Sequence, residues 1–342
     1  MLNNILVVLF STIYLFLLNK FLISKNICLD QVTKNEKHKK LAHLSLVPLS
    51  GSFFLAPIII LLFYKISVFF VLFSLLMIGI GLLSDLKLIS SPKKRFLFQF
   101  LVLVLFVYFL SDLKIDFRIE MLNVIMNNNL IRIIIISFFF LVLLNGYNFI
   151  DGVNNLASLN ILIVLIFCLI LSVNYQKDLL TDSLLILILC NIVFVIFNFF
   201  GKSFLGDGGV YGLSFLVGFV LIYLSLISDE ISPYFVAHLL WYPAFENLFS
   251  IIRRSFNNRK NYLADNNHLH QLLFRLFSKK KIFDKKYLIS SFTGILINFY
   301  LIFFYVIGFY YYSETKIQIL LIGINIFIYT FLYTFLKRKY FN

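Results

Sequence analysis

Long apolar stretches separated by short polar loops run through the whole chain, and they constrain its fold more than any other feature. A helix needs about 20 apolar residues to cross the hydrocarbon core of a bilayer. Hydrophobic residues make up 61% of this chain, more than a water-soluble protein of 342 residues can bury. We therefore predict an all-α polytopic membrane protein, with a single domain over residues 1–342. About eleven spans are expected, near residues 3–23, 47–64, 66–83, 96–111, 131–149, 156–174, 183–200, 210–227, 233–251, 287–312 and 317–336.

The distribution of basic residues predicts the orientation of these spans. Alternate loops share a side of the membrane, and one set carries 23 of the 30 Lys and Arg residues, whereas the other set carries six. Because cytoplasmic loops are enriched in Lys and Arg, the first set is assigned to the cytoplasm, with the N-terminus outside and the C-terminus inside. The same rule accounts for the formal net charge of +14, so we expect no nucleic-acid partner. The cytoplasmic set comprises loops 24–46, 84–95, 150–155, 201–209 and 252–286 and the tail 337–342.

Outside these loops the sequence offers few functional signals. The outer segment 112–120, DLKIDFRIE, alternates apolar and charged side chains, a period of two that indicates a strand. We expect a short extracytoplasmic β-hairpin there, with an ordinary solvated loop as the alternative. Cys28, Cys168 and Cys190 have no metal-ligand spacing and are interpreted as apolar residues without a disulfide. No cleavable signal peptide is expected, because the first apolar stretch has full span length and no basic start.

Three acidic residues each lie near a cytoplasmic end of a span, and two of them, Asp151 and Asp207, are next to glycine. Asp85 lies in GLLSDLKLISSPKKR, Asp151 in NGYNFIDGVNNLA and Asp207 in SFLGDGG. Carboxylates close to the membrane core are costly and tend to mark function. A solvated loop acid is the alternative for each one alone, but their recurrence on one side favours a shared site at the cytoplasmic face. An Asp among glycines at a helix start also suits Mg²⁺, which takes one or two carboxylates together with phosphate oxygens.

Amide and aromatic side chains accompany the acids. Asn148, Asp151 and Asn155 are spaced i, i+3, i+7, so they share one face if the helix continues through them. Their amides suit contacts to phosphate, ribose or uracil. Phe204 precedes Asp207 by three residues and is a candidate for stacking on a base, with an ordinary apolar position as the alternative in a chain of 43 Phe.

The longest cytoplasmic loop carries a cluster of basic residues and histidines. His268 and His270 share a side only if the backbone is extended. Zinc needs three or four ligands and no cysteine lies nearby, so phosphate or sugar binding by this loop is preferred to metal binding. Part of the basic character also serves topology and attraction to anionic lipids. The cluster comprises Arg253, Arg254, Arg259, Lys260, Asp265, His268 and His270.

Five motifs in this order resemble the polyprenyl-phosphate N-acetylhexosamine-1-phosphate transferases, the family of WecA- and MraY-type enzymes within glycosyltransferase family 4. The resemblance is strongest to the WecA-like branch, and it covers nearly the whole chain, including the span pattern and the orientation. The motifs are HLSLVPLSG from His43 to Gly51, SDLKLISSPKKR, NFIDGVNNLA, FLGDGG, and PAFENLFSIIRR together with DNNHLHQ.

This resemblance implies a reaction and a location. A sugar-1-phosphate, with HexNAc-1-phosphate as the default, passes from a UDP-sugar to undecaprenyl phosphate, UMP is released, and a lipid-linked surface polysaccharide is started. The enzyme is expected to depend on Mg²⁺, with Mn²⁺ as a substitute, and to be a multi-pass protein of the bacterial cytoplasmic membrane. A homodimer is compatible with the resemblance.

The resemblance also implies roles for individual residues. Asp207 resembles the principal metal ligand, Asp151 a further metal-site residue, and Phe204 the aromatic residue that stacks on uracil. Asp85 belongs to a paired-aspartate motif near the lipid phosphate, and His268 to a motif that touches the diphosphate or the sugar. The expected catalytic residues are Asp85, Asp151, Asp207 and His268, and the expected substrate-binding residues are His43, Asn148, Asn154, Asn155, Phe204, Arg253, Arg254, Asp265 and His270.

The chain departs from the family pattern at three positions. Ser84 stands in place of the first paired aspartate, Asn154 in place of the second acid of a DGxDG pattern, and Gln271 where a further histidine is often present. A phosphate monoester is largely dianionic at neutral pH, so direct attack on the β-phosphate needs no strong base. The alternatives are a catalytically inactive relative, a transporter or flippase of lipid-linked sugars, and a membrane scaffold.

Overall fold

The computed structural model describes residues 2–30, 46–110, 115–256 and 267–340, and helices dominate this part of the chain. Two short strands, β1 (Leu29–Asp30) and β2 (Val47–Pro48), pair antiparallel between the first two helices. The helices are α1 (Leu2–Lys25), α2 (Gly51–Phe63), α3 (Val68–Asp85), α4 (Pro92–Phe109), α5 (Glu120–Met126), α6 (Asn129–Ile150), α7 (Leu156–Asn174), α8 (Asp178–Phe199), α9 (Gly206–Ile227), α10 (Pro233–Leu239), α11 (Trp241–Phe256), α12 (Leu269–Lys279), α13 (Lys286–Tyr310) and α14 (Thr315–Tyr340).

Eight of the described helices are long and apolar enough to cross a membrane. The pair α10 and α11, bent by 71° at the break between them, makes a ninth if it is counted as one span. The remaining predicted spans, 47–64 and 96–111, correspond to the 13-residue helix α2 and to α4, whose first turn is basic. The all-α polytopic membrane fold is thus confirmed, whereas the count of eleven spans and the orientation remain predictions.

The distribution of buried and exposed apolar side chains fits a lipid environment. Phe299 and Tyr310 on α13 are 74% and 79% exposed, and Leu61 on α2 is 72% exposed. A soluble protein rarely exposes so many large apolar groups, but lipid tails solvate them well. At the centre of the bundle, α7 and α9 each bury 72% of an 18-residue apolar window, against 22% for α1. Helix α9, which carries Asp207 in its first turn, therefore runs through the middle of the protein.

Helices α3 and α9 cross so closely that glycine is needed on both. A Cβ added to Gly81 would overlap with the backbone of Gly208, and a Cβ on Gly208 would lie 2.9 Å from the carbonyl oxygen of Ile78. Small residues allow two membrane helices to bring their backbones into contact. The crossing fixes the end of α3, with Asp85, against the start of α9, with Asp207.

Three of the predicted outer loops lie together at one end of the bundle. The guanidinium group of Arg118 donates hydrogen bonds to the backbone carbonyls of Asp229, Glu230 and Ser313, which joins three predicted outer loops. Arg95, which contacts Asp207, lies in the first turn of α4, and the length of this helix separates it from the region around Arg118. An 18-residue helix is about 27 Å long, close to the thickness of the hydrocarbon core.

The β-hairpin predicted for residues 112–120 is wrong within the described part of this segment. Residues 115–119 contain no strand, and α5 begins directly after them. The Asp116 Oδ1 atom accepts hydrogen bonds from the backbone N–H of Arg118 at 2.7 Å and from the side-chain amide of Asn123 at 2.6 Å. Arg118 also has a φ of 54°. Local side-chain hydrogen bonds of this kind compete with extended backbone, so the alternating residues form a turn.

Candidate active site

Asp85, at the end of α3, binds the first turn of α9. Its Oδ1 and Oδ2 atoms accept hydrogen bonds from the backbone N–H groups of Asp207 at 2.9 Å and of Gly208 at 3.2 Å. N–H groups in the first turn lack partners within their own helix, and a carboxylate there also interacts favourably with the helix dipole. Gly206 enters the helix with a φ of 68°, a conformation that glycine adopts without strain. Asp85 therefore positions the start of α9.

The carboxylate of Asp207 receives donors from three helices. Ser84 Oγ on α3 donates to Oδ2 at 2.6 Å, and Asn148 Nδ2 on α6 donates to Oδ1 at 2.6 Å. Arg95 on α4 forms an ion pair with Oδ2 and donates to Ser84 Oγ at 2.8 Å. Ser84, a departure from the family pattern, thus forms part of the surroundings of Asp207.

Asp151 directly follows α6 and lies within electrostatic reach of the same carboxylates. Its burial and the neighbouring charges of Asp207, Asp85 and Asp30 raise the pKa of Asp151 well above its ordinary value. Asp30 belongs to β1, which is held against β2 at this end of the bundle. The burial and the repulsion that raise the pKa of Asp151 oppose its ionisation, and an additional cation among these four carboxyl groups would favour the charged form.

The oxygen donors at this site fit Mg²⁺. Asp207 and Asp151 supply carboxylates, and Asn148 supplies an amide beside them. Within the described residues, no group of three or more His, Cys, Asp or Glu side chains is arranged to hold a metal ion by itself. Mg²⁺ prefers one or two carboxylates, because waters and substrate phosphate oxygens complete its coordination. The donor set therefore suits a cation shared with a phosphate substrate.

A buried network around His268 adjoins this region. The Nδ1 atom of His268 lies 2.9 Å from Oε1 of Glu246 on α11, and the hydroxyl of Tyr329 on α14 donates to Oε2 at 2.7 Å. Both partners of the ion pair are almost fully buried. Because Nδ1 is taken by the carboxylate, the other ring nitrogen of His268 is the one that can face a ligand.

His270 stacks against His268, with ring centroids 5.5 Å apart. Burial lowers the pKa of His270 to about 3. Neither of its ring nitrogens has a hydrogen-bond partner among the described residues. A Cβ on Gly152 would lie 2.7 Å from His270 Nε2, so the ring packs directly against the turn that follows Asp151. The two histidines and Asp151 therefore belong to one region.

The two arginines at the end of α11 both donate to Ser250 Oγ and differ in their other contacts. The guanidinium of Arg254 lies 5.6 Å from the ring centroid of Phe149, and that ring lies 5.5 Å from the ring of His268. Arg254 therefore joins the histidine region. Arg253 donates to the hydroxyl of Tyr333 on α14 at 2.6 Å and to the backbone carbonyl of Asn267, the residue before His268.

The predicted alignment of Asn155 with Asn148 on one helical face is wrong, because α6 ends in the turn between them. Asn155 has a φ of 61°, and its N–H donates to Oδ1 of Asn198 on α8 at 2.6 Å. The N–H of Asn154 donates to Ser290 Oγ on α13 at 2.9 Å. These two buried asparagines join the turn to neighbouring helices, whereas Asn148 remains beside Asp207.

Phe204 uses its backbone to hold the loop before α9. Its N–H donates to the carbonyl of Pro48 at 3.0 Å, and its carbonyl accepts from the N–H of Ser50 at 3.0 Å. The phenyl ring is half-buried, and stacking on a base stays a prediction. His43 and Asp265, both predicted substrate contacts, lie outside the described residues.

The sequence did not predict that Arg95 and Asp30 lie at this site. Arg95 ends the SDLKLISSPKKR motif, but nothing in a run of three basic residues shows which one turns inward. Pro92 is a signal for a helix start, so Lys93, Lys94 and Arg95 point in directions about 100° apart. The helix start could therefore have shown that a single member of the run faces the site.

We expect Asp85→Asn to lower the free energy of unfolding by about 1–2 kcal/mol, because an amide cannot accept both backbone hydrogen bonds from α9. Turnover should also fall, because Asp85 positions the first turn of α9, which carries Asp207. Thermal unfolding in detergent and a membrane activity assay measure the two effects. Asp178→Asn, which removes an exposed carboxylate from the first turn of α8, is the matched control. Unchanged stability and turnover for Asp85→Asn would contradict its positioning role.

Glu246→Gln is expected to lower the free energy of unfolding by about 1.5–3 kcal/mol, because a buried charge-assisted hydrogen bond to His268 is lost. Tyr329→Phe removes one hydrogen bond from the same carboxylate and should have a smaller effect in the same direction. Thermal unfolding of both variants tests this order. An equal or larger loss for Tyr329→Phe would show that the ion pair is not the main contribution.

The fold and the site together define a class: an all-helical membrane protein whose carboxylates meet an arginine and a helix N-terminus at one end of the bundle. The family model of glycosyl transferase family 4 matches residues 67–225, the segment that contains Asp85, Asp151 and Asp207. Over this segment the chain is similar to glycosyl transferase family 4, the family that its motifs resemble.

Three relatives illustrate the similarity. The chain is 30% identical over 174 residues to a phospho-N-acetylmuramoyl-pentapeptide-transferase of Dictyoglomus thermophilum, covering 48% of this chain and 55% of the relative. It is 27% identical over 232 residues to the protein of the same name from Dictyoglomus turgidum, covering 65% of this chain and 73% of the relative. It is 27% identical over 205 residues to a probable undecaprenyl-phosphate N-acetylglucosaminyl 1-phosphate transferase of Bacillus subtilis, covering 58% of this chain and 55% of the relative.

Two of these relatives are matched over about half of their length. Their names include both kinds of enzyme in the family, so assignment to the WecA-like branch stays a prediction.

Proposed function

We propose that this protein transfers a sugar-1-phosphate, by default HexNAc-1-phosphate, from a UDP-sugar to undecaprenyl phosphate and releases UMP. The observation that carries the proposal is the convergence of Asp85, Asp151 and Asp207 around the N-terminus of α9, within the segment that the family model of glycosyl transferase family 4 matches. Such a site suits a substrate that brings phosphate groups and a cation with it.

The reaction joins two anions, and its chemistry is mainly positioning and charge neutralisation. A phosphate oxygen of undecaprenyl phosphate attacks the β-phosphorus of the UDP-sugar. The bond from the β-phosphorus to the bridging oxygen breaks, and UMP leaves with the electron pair of that bond. The attacking phosphate is largely dianionic at neutral pH, so the step needs no strong base from the protein.

Different residues at the site contribute to positioning the substrates and to neutralising their charge. Asp207 and Asp151 would hold Mg²⁺, or Mn²⁺ in its place, and the bound ion would supply positive charge beside the diphosphate. Arg95, already paired with Asp207, adds a fixed positive charge that offsets repulsion between the substrates. Asn148 orients the Asp207 carboxylate. His268, held by its buried carboxylate partner through Nδ1, presents its other ring nitrogen to the diphosphate or the sugar.

The location follows from the fold and the lipid substrate. A multi-pass membrane protein with its site at the end of the bundle can receive a membrane-bound phosphate from the headgroup region and a nucleotide sugar from water. We place this end at the cytoplasmic face of the bacterial cytoplasmic membrane, because the loops around it carry most of the basic residues. A homodimer remains a prediction.

A transporter of lipid-linked sugars would place charged residues along the middle of its spans. The described residues do not follow that pattern. The buried charged side chains among them are Arg132, close to the start of α6, and Glu246 and Arg254, both on α11 in the histidine region. The enzyme is therefore the better-supported function.

The test measures UMP release by purified protein in membranes, with undecaprenyl phosphate, Mg²⁺ and a panel of UDP-sugars that includes UDP-GlcNAc and UDP-GalNAc. We expect UMP only when the lipid and an accepted UDP-sugar are both present, and we expect a chelator of divalent cations to stop the reaction. Absence of UMP with every donor of the panel, despite folded protein, would contradict the proposal and favour an inactive relative or a scaffold.

A further inference from the structure

A separate cavity of about 500 Å³ opens beside the site, between the C-terminal half of α1, β2 and the loop that follows α8. It is lined by Lys20 on α1 and Lys202 in the loop, and by apolar groups that include Phe16, Ile23 and Phe197. None of these residues belongs to the proposed catalytic machinery. The cavity thus combines two cations with an apolar wall, at the level where a predicted span meets water.

Asn19 gives this cavity an unpaired polar atom. Its side chain lines the cavity and is only 7% exposed. Its Nδ2 atom donates to the backbone carbonyl of Lys202 at 3.3 Å, which fixes the orientation of the amide. Its Oδ1 atom is buried and has no hydrogen-bond partner among the described residues. A buried acceptor without a donor is costly, so a ligand hydroxyl at this position would be stabilising.

The exposed apolar surface around the cavity shows where an acyl chain can lie. Phe16 and Ile23 are 59% and 45% exposed, and together with Lys20 they follow one face of α1. A lysine close to a span end extends its ammonium group to the headgroup level while its stem lies along apolar surface. Basic pockets of this kind between spans on the cytoplasmic side attract anionic lipid headgroups.

We propose that this cavity binds an anionic glycerophospholipid of the phosphatidylglycerol type. Lys20 and Lys202 contact the phosphodiester, a headgroup hydroxyl donates to Oδ1 of Asn19, and an acyl chain lies along Phe16 and Phe197. A bulk membrane lipid is the chosen occupant, because the described residues that line the cavity include none of the carboxylates where the carrier phosphate would react.

The experiment titrates detergent-solubilised full-length protein with lipids and counts the bound molecules by native mass spectrometry. The probes are phosphatidylglycerol, phosphatidic acid and phosphatidylcholine with identical acyl chains, and undecaprenyl phosphate. The wild type should bind phosphatidylglycerol most tightly. The double variant Lys20→Gln/Lys202→Gln should bind it about tenfold more weakly. The control Lys65→Gln/Lys177→Gln makes the same charge change in the predicted outer loops and should bind like the wild type.

Asn19→Leu tests the headgroup hydroxyl separately. Phosphatidic acid keeps the phosphate but lacks this hydroxyl, so the variant should lose the preference for phosphatidylglycerol over phosphatidic acid. Thermal unfolding verifies that each variant is folded. If the double lysine variant does not fold, the two single lysine variants are used in its place. Equal binding by wild type and lysine variants would overturn the proposal, as would displacement of phosphatidylglycerol by equimolar undecaprenyl phosphate. None of these measurements depends on transferase activity.

Discussion

Asp207→Asn is expected to lower UMP release by about 10²–10³-fold, the largest effect of any single change at the site. The amide keeps the volume of the side chain and its contact with Ser84, but it loses the negative charge that pairs with Arg95 and that would hold a divalent cation. Turnover of the variant at saturating UDP-sugar and undecaprenyl phosphate measures the effect.

The matched control for this change is Asp182→Asn, which removes an exposed carboxylate from α8 and should leave turnover unaltered. Thermal unfolding should show that Asp207→Asn remains folded, because most of its hydrogen-bonding partners persist. Near-normal UMP release by the Asp207 variant would remove its proposed role as a ligand for the cation.

Gly81→Ala is expected to reduce turnover by about 10²-fold, although Gly81 touches no substrate. The added methyl group overlaps with the backbone of Gly208, so α3 and α9 have to separate. Overpacking of this kind costs about 1–3 kcal/mol of stability. The separation also draws the Asp85 carboxylate away from the first turn of α9, which displaces Asp207. Thermal unfolding and UMP release measure the two consequences.

Gly79 offers a matched control on the same helix. A Cβ added to Gly79 meets no atom within 4 Å, so Gly79→Ala should keep full turnover and gain slightly in stability through better helix propensity. If the two alanine variants behave alike, the close crossing of α3 and α9 does not hold the site together.

The sequence predicted the helical membrane fold well, because apolar length and charge bias depend on local composition alone. It also predicted that Asp85, Asp151 and Asp207 lie near one another, since span ends on one side of a membrane share a layer. Their detailed arrangement could not be predicted. The contact of Asp85 with backbone N–H groups of α9 joins residues more than 120 positions apart, and no local pattern encodes it.

The error at Asn155 arises from contacts that are distant in the sequence. Nothing in the residues from Asn148 to Asn155 forced the helix to end, because the left-handed conformation of Asn155 is stabilised by distant partners on α8 and α13. The network of Glu246, His268 and Tyr329 likewise joins three separate helical regions. Such long-range polar contacts follow from packing, which one sequence does not reveal.

The pairing of Arg95 with Asp207 has a consequence for assembly. An isolated carboxylate at the junction of three helices would oppose their association in the bilayer, since removing one partner of such a pair leaves an uncompensated charge. With the guanidinium in place, α3, α4 and α9 can dock before any nucleotide or ion arrives. The polar contacts around Asp207 can thus form while the helices pack in the membrane, without a bound ligand.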